Sequence, residues 1–447
     1  MRNETNNAIR VACCAVQLSG VFALPVVLCS FPALAAPGLN SGDAAFIFVT
    51  ALLVLLMTLP GLALFYGGMA QSKNVLSVLM QVFSVTALVA ILFTLYGYSF
   101  TFTDGKALNS VLGSSDKIFL KNINANSLVG TVPEYVYIFF MMTFAAITPA
   151  LITGSFAERV KFSAVLVFMA IWATINYIPL AHMAWGGGWM AALTVQDFAG
   201  GNVVHINAGV ASLVAALMIG RRQNFGTVAL TPHNMTMTMT GGAMLMLGWL
   251  GFCGGCALAI NGYAMLVVLN TLLGAFGGAV AWMFIEWRLQ KRPSLLGVIS
   301  GAVAGMVGIT PACGYVGPVG AICVGILTAP CCMAFVTLIK HRLNLDDAFD
   351  VFAIHGIGGI VGGILTPVFA LTTLGGSGFV AGRAMGEQLL INASVIVFSI
   401  LFSAITSWIT LKLTGIMCNG LRVDGEDEFD GLDLTTHGEV GYRHSNT

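Results

Sequence analysis

Charged residues are scarce in this chain of 447 residues. Asp, Glu, Lys and Arg together make up 9% of it, whereas 57% is hydrophobic. Water-soluble domains carry roughly 25% charged residues, so a core packed in water does not explain the composition. The apolar runs are long enough for bilayer spans, each of which needs about 20 residues. The scarcity of charge therefore predicts an all-α polytopic membrane protein.

Net charge and recognisable catalytic motifs are also missing. The formal net charge is zero, so no basic surface indicates nucleic acid as a partner. An intramembrane enzyme would need a nucleophile or metal constellation, and neither His-Glu-x-x-His nor Gly-x-Ser-x-Gly occurs. Two histidines within apolar segments, His205 and His355, have no clear third ligand beside them and so do not make a metal site. We therefore expect no enzyme activity, no metal and no cofactor.

Cysteines are present but do not form a disulfide framework. Three of the ten fall in the first 35 residues, and the others lie in or at the ends of apolar segments. Buried Cys usually behaves as a small hydrophobic residue. Cys253 and Cys256 have the spacing of a redox pair, but no neighbouring base accompanies them in their apolar segment. A structural role is therefore favoured over a redox role.

Residues 1–35 have the pattern of a secretory signal. Arg2 and Arg10 give a basic start, an apolar stretch follows, and small residues precede Ala36. The apolar stretch is long for a signal, so an uncleaved first span is the alternative. We predict a cleaved signal peptide at 1–35, a membrane domain at 36–417 and an acidic cytoplasmic tail at 418–447.

The apolar runs after the signal predict eleven spans, numbered in chain order. Positive residues fix their orientation, because cytoplasmic loops are enriched in Lys and Arg. With the mature N-terminus outside, thirteen such residues fall inside and four outside. The C-terminus is then cytoplasmic, and the chain is expected in the cell inner membrane. The predicted spans are 44–70, 78–101, 133–153, 162–181, 199–220, 235–259, 263–285, 295–313, 317–339, 349–372 and 388–417.

Spans 5 and 10 share a pattern that indicates an inverted repeat of spans 1–5 and 6–10. Asp197 lies eight residues before His205, and Asp347 lies eight residues before His355, with glycine-rich sequence nearby in both. Segments five spans apart run in opposite directions, and inverted repeats place a solute site near the midplane. Intramembrane ionisable residues are functional candidates. The alternative for each histidine is a neutral ring bonded to a backbone carbonyl, but the pairing favours pore lining.

Five stretches resemble the ammonium transporter family, the Amt/Mep/Rh superfamily. The resemblance covers nearly the whole chain after the signal, and the stretch from Asp197 to His205 is its most specific part. It implies ammonium or ammonia as the substrate, a place in nitrogen metabolism, and a homotrimer in membrane lipid with one pore per subunit. The stretches are PGLALFYGG at 60–68, GSFAER at 154–159, HMAWGGG at 182–188, DFAGGNVVHIN at 197–207 and DVFAIHG at 350–356.

The same resemblance assigns roles at the outer mouth. Trp185 is expected in the outer vestibule, where an indole face attracts ammonium by a cation–π contact of about 0.5–2 kcal/mol; its alternative is an interfacial belt residue. Phe144 and Phe252 are expected as stacked rings that close the pore, although either alone would suit the core or lipid. Asp197 suits both a helix N-cap and a charge behind the recruitment site. Cys256 stands where the family carries a Ser.

These assignments define a hypothesis about selectivity. Potassium resembles ammonium in size and charge, and stripping water from either ion in a dry passage is costly. Ammonium alone can give up a proton and cross as neutral ammonia, hydrogen-bonded to His205 and His355. Because a thiol is a weaker hydrogen-bond partner than a hydroxyl, Cys256 is expected to weaken recruitment; Cys253, where Asn is common in the family, lowers local polarity too.

The tail at 418–447 carries seven acidic residues against two arginines. Composition alone favours a solvated, partly disordered terminus. Three stretches nevertheless resemble the ordered cytoplasmic tail of bacterial family members: Gly420-Leu421-Arg422-Val423, Gly431-Leu432-Asp433 and His437-Gly438-Glu439. That resemblance implies a docking site for a PII-type nitrogen regulatory protein. A sensor or receptor is the remaining alternative function, although the tail is too short for an appended signalling domain.

Overall fold

The computed structural model describes residues 38–380 and 382–442. The predicted signal peptide, and with it the choice between cleavage and an uncleaved span, lies outside the described residues. The described residues belong to a single compact unit that begins at Gly38.

Apolar helices make up most of this unit, as the composition predicts. Ten helices in the described chain are long and apolar enough to cross a membrane. The predicted span 8 corresponds to a shorter helix of 15 residues, Leu295–Ile309, so a count of eleven crossings stays a prediction. The ten helices are Ser41–Met69, Val75–Phe102, Glu134–Phe156, Phe162–Ala192, Gly201–Ile219, Met235–Gly255, Gly262–Gln290, Pro318–Arg342, Phe352–Phe369 and Met385–Met417; they are spans 1 to 7 and 9 to 11.

Several spans contain a short π-helical segment, in which each backbone hydrogen bond joins residues five apart in the chain instead of four. Such segments are rare and occur frequently at functional sites. Two of them carry the paired histidines: Gly201–Ile206 begins span 5 and Phe352–Gly356 begins span 10. The others are Met57–Leu62, Phe93–Gly97, Ala173–Tyr177 and Leu338–Arg342.

Glycines bring spans 7, 8 and 9 into backbone contact. A Cβ atom at Gly278 would collide with the backbone at Gly301 and Gly305, and one at Gly325 would collide with the carbonyl of Gly274. Small residues allow membrane helices to approach this closely. The abundance of Gly in the sequence is therefore used for helix packing.

The described segments outside the spans contain only short elements of regular structure. A two-stranded antiparallel hairpin, Leu128–Val129 with Val132–Pro133, precedes span 3. The tail forms two short helices, Gly425–Asp430 and Leu432–His437. Short 3-10 turns lie in the segments that connect the spans, at Lys106–Leu108, Ile118–Leu120 and Thr372–Leu374.

Candidate functional site

His205 and His355 meet inside the helix bundle. Their rings lie nearly parallel with centroids 5.3 Å apart, and Nδ1 of one is 3.2 Å from Nδ1 of the other. His205 is 1% exposed and His355 5% exposed. The two positions are 150 residues apart in the chain, and the matching turns at the starts of spans 5 and 10 bring them together.

The contact between the two Nδ1 atoms constrains where protons sit. A neutral imidazole has one N–H and one bare nitrogen, so one histidine donates its Nδ1–H and the other accepts with a bare Nδ1. No protein atom of the described chain bonds to Nε2 of His205. That nitrogen is therefore free to bond a molecule placed beside the ring.

The two aspartates of the repeat hold the turns that carry the histidines. The Asp197 carboxylate accepts hydrogen bonds from the backbone N–H groups of Gly200, Gly201 and Asn202, and from the Asn202 amide. Burial raises the pKa of Asp197, although these hydrogen bonds oppose the rise. Both carboxylate oxygens are occupied, so capping is the role that the contacts support and no oxygen is left for a general base.

Asp347 occupies the corresponding place before His355. Its Oδ2 accepts a hydrogen bond of 2.7 Å from the Phe352 N–H, while its Oδ1 has no partner among the described residues. These caps explain why spans 5 and 10 begin two and three residues later, at Gly201 and Phe352, than the apolar pattern predicted.

Aromatic rings close one side of the histidine pair. Phe144 and Phe252 are stacked with centroids 4.1 Å apart and 15° between the ring planes. Trp185 contacts Phe144 edge-on, with centroids 5.9 Å apart. The Cys256 thiol donates to the Phe252 carbonyl at 3.3 Å. The residues assigned to recruitment and gating thus lie together at what we call the Trp185 end.

Trp249 also contacts the histidine pair, although it is not among the site residues predicted from the sequence. Its indole stacks on His205 with centroids 5.1 Å apart and lies parallel to the His355 ring at 6.5 Å. The indole N–H donates to Thr310 Oγ1 at 2.8 Å. Trp249 precedes Phe252 by three residues, so it shares a helix face with a predicted gate residue. That spacing was the signal that could have found it.

Two cavities border the histidines. One of about 10 Å³ lies between Phe252 and His355 and is lined mainly by apolar side chains together with both rings. Its size is close to the minimum for one water-sized molecule. The other, of about 160 Å³, lies beyond His355 at the end where the tail packs. No group of three or more His, Cys, Asp or Glu within 38–380 and 382–442 could hold a metal ion.

A buried ion-pair cluster lies at the tail end. Arg222 bonds Asp346 at 2.8 Å and Glu158 at 2.9 Å, and Arg159, fully buried, donates to the Asp346 carbonyl at 2.7 Å. Burial lowers the pKa of Arg159 to about 10. The pKa of Asp346 lies below its usual range, because the contacts with Arg222 outweigh burial. Since Asp346 adjoins Asp347, this cluster anchors the start of span 10.

The described part of the tail packs on this end of the bundle. The Asp433 carboxylate accepts hydrogen bonds from the backbone N–H groups of Leu76 at 3.0 Å and Ser77 at 2.7 Å, in the first turn of span 2. The Glu428 carboxylate bridges the Gln223 N–H at 2.6 Å and the Arg422 guanidinium at 2.7 Å. Residues 418–442 therefore dock on their own chain.

Comparisons with known proteins agree with this geometry. The model of the ammonium transporter family matches residues 45–442. An ammonium transporter of Bacillus subtilis is 44% identical over 411 residues, covering 91% of this chain and all of that protein. The crystal structure of Saccharomyces cerevisiae Mep2 aligns with a TM-score of 0.82 at 30% identity, over 92% of this chain and 93% of that one. A solved sensor Amt protein aligns with a TM-score of 0.82 at 28% identity, over 89% and 98%.

Proposed function

The chain belongs to the ammonium transporter family, and from that premise we propose that it recruits ammonium at an outer vestibule, removes a proton and conducts ammonia past two histidines. The family is one of membrane transporters and not of enzymes. Ammonium transport by a multi-pass membrane protein therefore follows from the family. The route of the substrate through the molecule is what we propose.

Recruitment is proposed at the Trp185 end. The Trp185 indole contacts the gate residue Phe144 edge-on, an arrangement that suits a cation–π contact with ammonium. The Cys256 thiol lies one helical turn from Phe252 and supplies the nearest weak hydrogen-bonding group. Asp197 contributes through its charge and its cap. Its carboxylate oxygens already accept from the N–H groups of residues 200–202 and from the Asn202 amide, so it acts on a cation through its charge.

Exclusion of potassium follows from the dryness of the path. The Phe144 and Phe252 rings are both fully buried and in stacking contact, so a hydrated ion cannot pass without moving them. Beyond them, the small cavity offers mostly apolar walls and the nitrogens of two rings. A bare potassium ion would lose its water ligands there without replacement. Ammonium avoids this cost by giving its proton to solvent water at the Trp185 end, so that neutral ammonia enters the narrow part.

The contact between His205 and His355 is the observation that carries the proposal. A ring pair that shares one hydrogen bond leaves both Nε2 atoms to face neutral ammonia, either as donor or as acceptor. The stacking of Trp249 holds the His205 ring in its plane. The same pair is suited to pass a proton separately from ammonia.

Proteoliposome electrophysiology tests the proposal. The wild type is expected to carry an ammonium-dependent current or flux that potassium does not support. His205→Ala and His355→Ala are expected to alter conduction or selectivity while assembly is retained, and the matched control is His341→Ala, an exposed histidine. Unchanged uptake and selectivity in both pore variants would contradict the mechanism, and the absence of any flux in wild type would favour a sensor.

The cellular setting forms a further part of the proposal. The positive-residue bias supports an inner-membrane location with the Trp185 end outside and the tail in the cytoplasm. We propose cleavage of the signal at 1–35 and a homotrimer in membrane lipid with one path through each subunit. The basic start and the small residues before Ala36 support the cleavage, and the resemblance to the family supports the homotrimer and its separate paths.

A PII-type regulator is the proposed partner of the tail. The support is the family-like tail sequence and its ordered contacts around Asp433 and Glu428. Deletion of the residues after Cys418 is expected to abolish regulator binding in a pull-down assay and to change transport. If neither changes, the tail has no regulatory role.

A further inference from the structure

The cavity beyond His355 has a composition unlike that of the narrow path. Its volume is about 160 Å³, against about 10 Å³ beside the histidines, which gives it room for several water-sized molecules. It lies between the tail-side ends of spans 1, 7, 8, 9 and 10. Acidic and aromatic side chains line it: Glu286, Asp350, Tyr66, Trp282 and Phe349.

Glu286 places an unneutralised charge in the wall of this cavity. It is 8% exposed and lies in span 7. Its oxygens accept hydrogen bonds from Ser294, at 2.8 Å from the backbone N–H and 2.9 Å from the hydroxyl. Of the ion pairs found in 38–380 and 382–442, none includes Glu286. Ser294 is the N-cap of span 8, so the helix N-terminus offsets part of the cost of this buried carboxylate, but the negative charge stays in the wall of the cavity without a cationic partner.

Asp350 presents a second acceptor to the same space. Its Oδ2 pairs with Lys340 Nζ at 2.7 Å, whereas its Oδ1 is buried and has no partner among the described residues. The pair with Lys340 is neutral overall, so the net charge of the lining remains that of Glu286. An oxygen without a donor remains available to a ligand that carries N–H groups.

Aromatic faces complete the surroundings. The rings of Tyr66 and Phe349 have centroids 5.2 Å apart, and Phe65 lies 5.9 Å from Tyr66. Trp282 joins them in the lining. The negative faces of these rings, together with the carboxylates, favour a small cation with N–H donors and disfavour anions.

We propose that this cavity is a second cation-binding site, which takes ammonium or methylammonium from the solution at the tail end. It rests on the proposed function in one respect, namely that the cavity continues the path beyond His355. Its role is to set the affinity with which the protein engages substrate from the tail side. The Trp185 end sets that affinity independently from the other side.

Vesicles of both orientations test the site through [14C]methylammonium flux. Glu286→Gln removes the charge yet keeps an oxygen for the Ser294 donors. We expect it to raise the KM for entry from the tail end by about tenfold, the effect of losing one charge-assisted contact, with the KM from the Trp185 end unchanged. Glu387→Gln, which alters an exposed carboxylate at the start of span 11, is the matched control. An equal shift in both orientations, or none, would overturn the proposal.

Two further variants separate ligand binding from local structure. Ser294→Ala removes a donor to Glu286 but keeps the charge, so a KM rise as large as that of Glu286→Gln would mean that capping explains both. Lys340→Met frees the second oxygen of Asp350 and is expected to lower the tail-side KM. A rise in that KM would contradict a cation site, because it would make the ion pair the important feature.

A direct measurement keeps the site testable without transport. Crystals soaked in caesium chloride, with caesium as a heavy monovalent cation, are expected to show an anomalous peak beside Glu286 or Asp350. The peak should disappear in Glu286→Gln. No peak at saturating caesium would overturn the cation site even if flux is normal. A peak in a protein without flux would support the site while the proposed transport fails.

Discussion

Single side chains are expected to determine how strongly a cation is bound at the Trp185 end of the proposed path. Cys256 donates only to the carbonyl of Phe252, four residues earlier in its own helix. Its sulfur lone pairs are left to accept from a cation, but sulfur is a weak hydrogen-bond acceptor. The resemblance to the family, which carries Ser at this position, makes the substitution informative.

Cys256→Ser is expected to strengthen recruitment. A hydroxyl both donates and accepts better than a thiol, and one added hydrogen bond of about 1 kcal/mol lowers KM from the Trp185 end by about fivefold. Methylammonium uptake at varied concentration measures it. Cys323→Ser, on span 9, is the control for loss of a thiol. An unchanged or higher KM would show that position 256 does not contact the substrate.

Asp347 predicts a dependence of stability on pH. Burial, with the charge of Asp350, raises its pKa to about 7, whereas an unfolded Asp titrates near about 3.9. Between these values the folded protein holds a proton that the unfolded chain has lost, so stability falls as pH rises through this window. Above pH about 7 this contribution levels off, since both states are then ionised.

Asp347→Asn tests this dependence, because the amide oxygen still accepts from Phe352 and does not titrate. In thermal unfolding in detergent between pH 4.5 and 8, wild type is expected to lose apparent Tm relative to the variant up to neutral pH. Asp424→Asn, a change to an exposed tail residue, controls for surface charge. Parallel curves for wild type and Asp347→Asn would contradict the raised pKa.

At the scale of elements, the ends of helices carry the information that hydropathy lacks. The apolar pattern predicts the span ends to within five residues, because long apolar runs have one stable form in a bilayer, except at span 4, which is predicted to end at residue 181 and ends at Ala192. It does not register caps, which depend on side-chain contacts such as those of Asp197. Nor does it reveal the docking of the tail, whose acids look solvated until Asp433 is seen on Leu76 and Ser77.

Asp433→Ala is expected to loosen the tail. Loss of a cap costs about 0.5–2 kcal/mol, and here the same contact joins two parts of the chain. Limited trypsin digestion should cleave at Arg422 several-fold faster than in wild type. Asp430→Ala, an exposed neighbour, should leave the rate unchanged. Equal rates for Asp433→Ala and wild type would show that Arg422 and Glu428 hold the tail without Asp433.

At the scale of the whole molecule, the paired histidines could be predicted and their surroundings could not. Equal spacing from Asp197 to His205 and from Asp347 to His355 indicated two related segments of opposite direction. The stacking of Trp249 and the acidic cavity at Glu286 depend on residues far apart in the chain. The spacing from Phe252 could place Trp249 on the same helix face, but no local pattern marks the ring on which it stacks or the cavity at Glu286, and these emerge only when the spans pack.

The proposed homotrimer gives a test at this scale. Native mass spectrometry is expected to find a species of three chains, each 46.9 kDa less any cleaved signal. His205→Ala should give the same species, since its side chain is buried within one chain. If the protein is a monomer in mild detergent and the same preparation conducts ammonium after reconstitution into vesicles, assembly is not needed.

The contact between Asp433 and the first turn of span 2 also has a consequence for synthesis. The two partners are 356 residues apart, so span 2 leaves the ribosome long before its cap exists. During translation the backbone N–H groups at Leu76 and Ser77 must face water or another partner. The tail-side end of this helix is completed only after Asp433 has been made, and a nascent chain truncated before that residue never acquires the cap.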